Sequence, residues 1–330
     1  MKLRKSIYKV LFIQSCLLCL IPAITKAQAV PAKDENIEFL MTFGREGATS
    51  WGDDDFSQTF FFKIPTTYKE PFYIRVYDPD VGGKEDEING VWNTRMAYSV
   101  YGGKGSFSDP DARGTRPEGN YKSGTLLASR VFGNEPRYDG AWYTFGPFNP
   151  LEGEFVQKFD GNIFKLICDG ISGDDGNLYR YFLSREPDNN RAIEGGNAFT
   201  YEYSFRMWNN TTSVAHIYPF IDSGTIYVRQ QNFDWDNDGH ILVVSSVRKG
   251  SEAVISGEDN WEESRLPIIE GEINHSLDFQ FHKFKGGLVR NNNVVIYIEN
   301  QYGENMPFFS IPIGGVPVYT PKVTVNKIQK

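Results

Sequence analysis

From residue 38 onward, short apolar and aromatic runs alternate with polar turns. In Phe72-Tyr73-Ile74-Arg75-Val76-Tyr77 a period of two places Phe72, Ile74 and Val76 on one face, the signature of a half-buried strand. Runs of the same kind predict strands at 38–43, 56–64, 95–101, 125–132, 162–168, 179–184, 199–208, 225–229, 241–247, 276–284, 294–300 and 308–311. Helical periodicity is missing from every window of useful length, although 258–264 could make one turn. Residues 102–124, rich in Gly, Ser, Asp, Arg and Pro, read as a long exposed loop. Turn residues concentrate at Gly146-Pro147-Phe148-Asn149-Pro150, which marks a domain boundary. Phe72-Tyr73-Ile74-Arg75 and Ile226-Tyr227-Val228-Arg229 each precede an acidic loop, an echo that suggests related modules. The expected fold is all-β: two tandem antiparallel β-sandwich domains, at 30–148 and 149–322, followed by a tail at 323–330.

The first 29 residues follow a different pattern. Lys2, Arg4, Lys5 and Lys9 precede an apolar run over 10–24, and Ala27-Gln28-Ala29 closes the segment. This is the order of a cleavable secretory signal, too short to span a bilayer comfortably, so export is expected with cleavage after Ala27 or Ala29. Cys16 could carry a lipid instead, but Gln14 interrupts the small, apolar context that lipidation needs. Only Cys168 is left in the expected mature chain, so an internal disulfide is excluded and stability must come from the core or a bound ion.

Aromatic residues make up 15% of the chain, and 32 Gly and 17 Pro break it often, which fits strands joined by turns. The formal charge is −8, and loss of the signal with its five positive residues takes the mature chain to −13. Nucleic acid and anionic membrane are thereby excluded as charge-driven partners.

The acids are clustered. Asp78, Asp80, Glu85 and Asp86 follow the strand at 72–77, with Gly82 and Gly83 letting the backbone fold back. Crowded carboxylates repel one another unless a cation lies among them, and oxygen-only donors suit Ca²⁺. Asp234, Asp236 and Asp238, followed by Gly239, form the opening of a calcium-hand type of loop, but Ser245 stands where that loop needs a glutamate. Remaining ligands would come from Asp174, Asp175, Glu258 or Asp259; the alternative is a plain polar hairpin turn. Asp53-Asp54-Asp55 is either a solvated turn or a further source of ligands.

The run Phe60-Phe61-Phe62-Lys63-Ile64-Pro65, a short turn, and Phe72 to Asp86 resemble the middle of the calcium- and phospholipid-binding domain of protein kinase C and synaptotagmin. The resemblance implies an eight-stranded sandwich with Asp78, Asp80 and Asp86 as ligands of one Ca²⁺ cluster at its tip.

A catalytic set is not assembled. The chain lacks a Gly-x-Ser-x-Gly elbow, a His-Glu-x-x-His pair and a phosphate-cradling glycine loop, and Cys168 falls in a strand pattern as a small buried hydrophobe. Trp51, beside Asp53, and Trp235, inside an acidic loop, are candidates for exposed stacking surfaces for a sugar; the other four Trp are expected in the core. The expected protein is exported, non-enzymatic and calcium-binding, with a recognition or adhesion role at the cell surface. The alternatives are a glycan-binding or glycan-degrading accessory protein and a structural envelope component. A partner would be an extracellular glycan or a surface protein.

Overall fold

A computed structural model describes residues 27–284 and 292–321; the expected signal segment, Cys16 and the tail at 323–330 lie outside the described residues. The first half carries β1 (Phe39–Phe43), β2 (Ser57–Pro65), β3 (Phe72–Tyr77), β4 (Arg95–Gly102), β5 (Thr125–Phe132), β6 (Trp142–Phe148), β7 (Glu154–Val156), β8 (Gly161–Ser172) and β9 (Gly176–Ser184). Then follow β10 (Asn197–Thr200), β11 (Glu202–Arg206), β12 (Ala215–Ile217), β13 (Tyr227–Phe233), β14 (Gly239–Val244), β15 (Ser251–Ala253), β16 (Trp261–Pro267), β17 (Asp278–Lys283), β18 (Asn293–Asn300) and β19 (Phe308–Phe309). Short 3₁₀ turns supply what helix there is among the described residues. Among these residues no helix is long and apolar enough to cross a membrane.

The strands form three antiparallel sheets. Eight run in the order β16-β13-β18-β11-β1-β9-β3-β6, six in the order β19-β10-β2-β8-β4-β5 with β7 added beside β8, and four as β12-β17-β14-β15. The expected boundary at 148 and 149 does not separate these sheets. β8 lies between β2 and β4, and β9 lies between β1 and β3. The physical reason is hydrophobicity: β8 is buried over ten consecutive residues, which only a central strand covered on both sides can satisfy. The turn-rich stretch at 146–150 instead ends β6. That strand pairs only with β3, and Pro147 is tolerated because an edge strand can spare a backbone N–H.

Period-two alternation fills the space between sheets with rings. Phe60 of β2 stands 5.1 Å from Tyr181, 6.3 Å from Tyr203 and 6.5 Å from Tyr179, joining the sheet of β2 to two strands, β9 and β11, of the eight-stranded one. Further along the long sheet, Phe205 of β11 packs at 5.4 Å on Phe281 of β17, which belongs to the four-stranded sheet. Strands β1 and β11 pair only at Phe39↔Arg206 and Leu40↔Phe205 before they part. Gln58 fills the gap: its Nε2 donates to the Met41 carbonyl (2.6 Å) and its Oε1 accepts from the Ser204 N–H (3.1 Å). Both backbone groups are therefore satisfied where the ladder opens.

One further expectation is corrected. Residues 261–267 form strand β16 on the edge of β13, where a helical turn was expected over 258–264. Ser264 and Leu266 point inward and Glu263 and Arg265 outward, a two-residue alternation too short to stand out among polar neighbours.

Candidate functional site

A cleft of about 570 Å³ opens between three stretches that are distant in sequence. Its walls include Asp86 and Glu87 from the loop after β3, Asp174 from the β8–β9 turn, Asp234 and Asp236 from the β13–β14 turn, and Trp51 and Trp92. Thus five of the residues singled out from sequence, namely Trp51, Asp86, Asp174, Asp234 and Asp236, line one space.

The walls are held by backbone chemistry. Asp86 accepts from the N–H groups of Gly82 (2.7 Å) and Leu178 (2.7 Å), so it ties its own loop to β9. Arg206 on β11 pairs with Glu87, and its Nε donates to Asn293 Oδ1 at 3.1 Å. Asn293 in turn donates to the Trp51 carbonyl (2.7 Å), and Thr49 donates to Asp259 (3.0 Å), so the 44–56 loop is fastened to the far wall.

On the β13–β14 turn, Asp234 accepts from the Asp259 N–H at 2.5 Å. Burial, with the charges of Asp236, Asp259 and Glu258, pushes its carboxyl up to about 7. Asp236 is raised by burial first and by Asp238 next. Three segments thus place carboxylates on the cleft, where each disfavours ionisation of the others and together they attract positive charge.

Other expected site residues lie elsewhere. Asp78 and Asp80 are fully buried under the 133–141 loop, where they accept from Gly140 N–H (2.9 Å) and Glu135 N–H (3.1 Å) respectively. One oxygen of each, Asp78 Oδ2 and Asp80 Oδ1, has no hydrogen-bond partner among the described residues. Burial is the main reason why their carboxyls rise to about 7 and about 6, and Asp139 adds to both. Asp139 comes from a loop that sequence reasoning passed over. Asp175 is a structural acceptor: it takes the N–H groups of Asn89 (2.9 Å), Asn93 (2.9 Å) and Thr94 (3.1 Å). Asp238 is partly buried, with Lys283 opposing the rise of its carboxyl.

Trp235 corrects an expectation. It is fully buried, 5.1 Å from the Phe281 ring, and presents no face to solvent. An indole within an acidic turn looked exposed, but the turn folds over the sheet and the ring becomes its plug. Trp92, expected in the core, packs against it and also lines the cleft as its second tryptophan.

The carboxylates that come closest are a third group. Among the described residues, the side chains that could hold a metal by placing three ligand atoms within 4.8 Å of one another are Asp53, Asp54 and Asp55, and not the expected Asp78, Asp80 and Asp86. Comparison with protein families and with curated proteins gives no match for this chain.

Proposed function

We propose that this is an exported, non-enzymatic protein that binds Ca²⁺ between its acidic loops and uses them for recognition or adhesion at the cell surface. The observation that carries this reading is the cleft, which draws Asp86, Asp174, Asp234 and Asp236 from three separate segments to one space. An ion there offsets the burial and, after it, the neighbouring charges that push the Asp234 carboxyl up to about 7 and fixes the geometry of the loops, leaving coordination positions for a partner's oxygens. The buried, unpartnered oxygens of Asp78 and Asp80 support the same reading, since they add negative charge behind the wall that Asp86 holds. In this proposal the strands make two sandwich units that share the long sheet.

Thermal melting of the mature chain across a Ca²⁺ titration tests it. Because a ligand of the native state stabilises by about 2.7 kcal/mol at a hundred times its Kd, Tm should climb steadily with Ca²⁺ and the climb should shrink in an Asp234→Asn, Asp236→Asn double variant. An unchanged Tm up to millimolar Ca²⁺ overturns the reading. A second reading is favoured by Trp51 and Trp92 in the same cleft: stacking of a glycan, with carboxylates accepting from its hydroxyls. Retention on a polysaccharide array in the presence of chelator selects it over the first.

A further inference from the structure

The 44–56 loop has two sides. One gives Trp51 to the cleft, and the other carries the three consecutive acids that follow Gly52, Asp53 buried and Asp54 and Asp55 half-buried. Asp53 has no exposed surface, and its oxygens accept from the N–H groups of Phe43 (2.6 Å), Phe56 (2.9 Å) and Asp55 (3.4 Å). That carboxylate shapes the loop. Asp55 has one oxygen engaged by the Ser57 N–H (2.9 Å), whereas Asp54 Oδ1 is buried with no hydrogen-bond partner.

Glu202, the first residue of β11, supplies the independent observation. Its side chain is only 7% exposed, yet its Oε2 has no hydrogen-bond partner. The strand places it there: Gln58 holds Ser204 N–H, and the Thr200 hydroxyl donates to the Thr59 carbonyl (2.7 Å), which fixes the start of β11 against the start of β2. Besides burial, the charges that raise the Glu202 carboxyl are, in order, Asp54, Asp55 and Asp53, with Arg116 opposing them. A cavity of about 20 Å³ lies between Asp55 and Glu202, enough for a single water-sized occupant. Arg116, on an exposed loop, lines it too. Asp111 lines it as well, and one guanidinium against five carboxylates leaves the site negative.

We infer that this pocket is a second cation site, distinct from the cleft, in which Asp54, Asp55 and Glu202 hold a Ca²⁺ ion and Asp53 sets the loop that presents them. Among the aspartates the dimensions agree: with Ca–O distances of about 2.4 Å, oxygens on opposite sides of one ion are about 4.8 Å apart, which is the span within which one ligand atom from each of Asp53, Asp54 and Asp55 falls, while Glu202 stands outside that group and faces the pocket from the strand side. Donors that are all carboxylate oxygens, spaced irregularly by a loop and a strand end, suit Ca²⁺ better than the strict octahedron of Mg²⁺. Filling the site pins the loop whose other side carries Trp51, so the ion also steadies the cleft wall.

The experiment is calorimetric Ca²⁺ titration of the full mature chain after chelator treatment, with Glu202→Gln, Asp54→Asn and the cleft double variant Asp234→Asn, Asp236→Asn. Circular dichroism confirms folding, and Asp54, the less buried of the two, decides the matter if Glu202→Gln does not fold. The expected result is that Glu202→Gln and Asp54→Asn each lose one bound ion, or weaken it on the order of 100-fold, while keeping whatever the cleft variant loses. Unchanged stoichiometry and affinity in both overturns the inference. If the wild type binds only ions that the cleft variant removes, the second site is refuted and the cleft reading stands. If the wild type binds a single ion, which the cleft variant keeps and Glu202→Gln loses, the second site stands and the cleft reading falls. A wild type that binds no Ca²⁺ refutes both.

Discussion

Gly173-Asp174-Asp175-Gly176 and Gly52-Asp53-Asp54-Asp55 are near copies in sequence, and their oxygens meet different fates. In the first turn Asp175 is fully buried and answered by three N–H groups from 89–94, while Asp174 Oδ2 accepts from the Asn89 side chain at 2.6 Å. In the second, Asp53 plays the same stapling part, but Asp54 Oδ1 and the facing Glu202 Oε2 are buried with no partner among the described residues, as Asp174 Oδ1 is on the cleft side of the first turn. Acid density alone therefore does not distinguish a staple from a cation trap. The distinction lies in whether backbone donors reach the carboxylate, because an unanswered buried oxygen costs free energy that only a proton, a water or an ion can recover.

The comparison can be broken by substitution. The largest effect is expected at Asp175→Ala, which leaves three N–H groups without an acceptor and should lower stability by about 3 kcal/mol, equally with and without Ca²⁺ in denaturant unfolding. A loss that Ca²⁺ repairs would make Asp175 a ligand and erase the contrast. Next comes Glu35, a buried acid answered by hydroxyls alone: Tyr203 donates at 2.8 Å and Ser310 at 2.8 Å. Burial holds its carboxyl at about 7 against an ordinary 4.5. The folded state therefore binds the proton more tightly than the unfolded one. Its contribution is complete below pH 4.5 and is lost as pH rises through about 7, a fall on the order of 2 kcal/mol. In Glu35→Gln that part of the pH profile should be flat in urea melts between pH 4.5 and 8, and an unchanged slope would show that Glu35 is not its source. The smallest effect belongs to Asp174→Asn. Its hydrogen bond is exposed, so ion-free stability should shift by less than about 0.5 kcal/mol; a larger loss in the same melts would place Asp174 with the staples.

Much of this was readable in advance. Strands at 72–77 and 125–132 fall where their alternation predicts, and β8 appears where 162–168 predicts a strand, only longer. Trp51 and four of the expected acids do line one space. What escaped has physical causes. The edge strand β6 was hidden by Gly146-Pro147, which reads as a turn whether or not a neighbouring strand is there to receive it. Trp235 was misplaced because the side on which a turn folds is decided by tertiary contact with Phe281, not by its polar neighbours. Glu202 gave no signal at all: it stands alone in an aromatic run, and its partners are about 150 residues upstream. A hint was available in Asp53-Asp54-Asp55, which with Glu85-Asp86-Glu87 is one of two runs of three acids in the chain, whose like charges are hard to gather without compensation.

The sheet that holds β2 closes on its other edge with β19, which pairs with β10 from more than a hundred residues away. Beside it, the Ser310 hydroxyl accepts from the Ala32 N–H at 2.6 Å and donates to Glu35. The earliest described residues are thus clasped by some of the last, and a chain emerging N-terminus first has nothing to close that clasp until residue 310 has been made. Until then the β10 edge stands open to any passing strand, so the vulnerable interval in this protein's life is its synthesis.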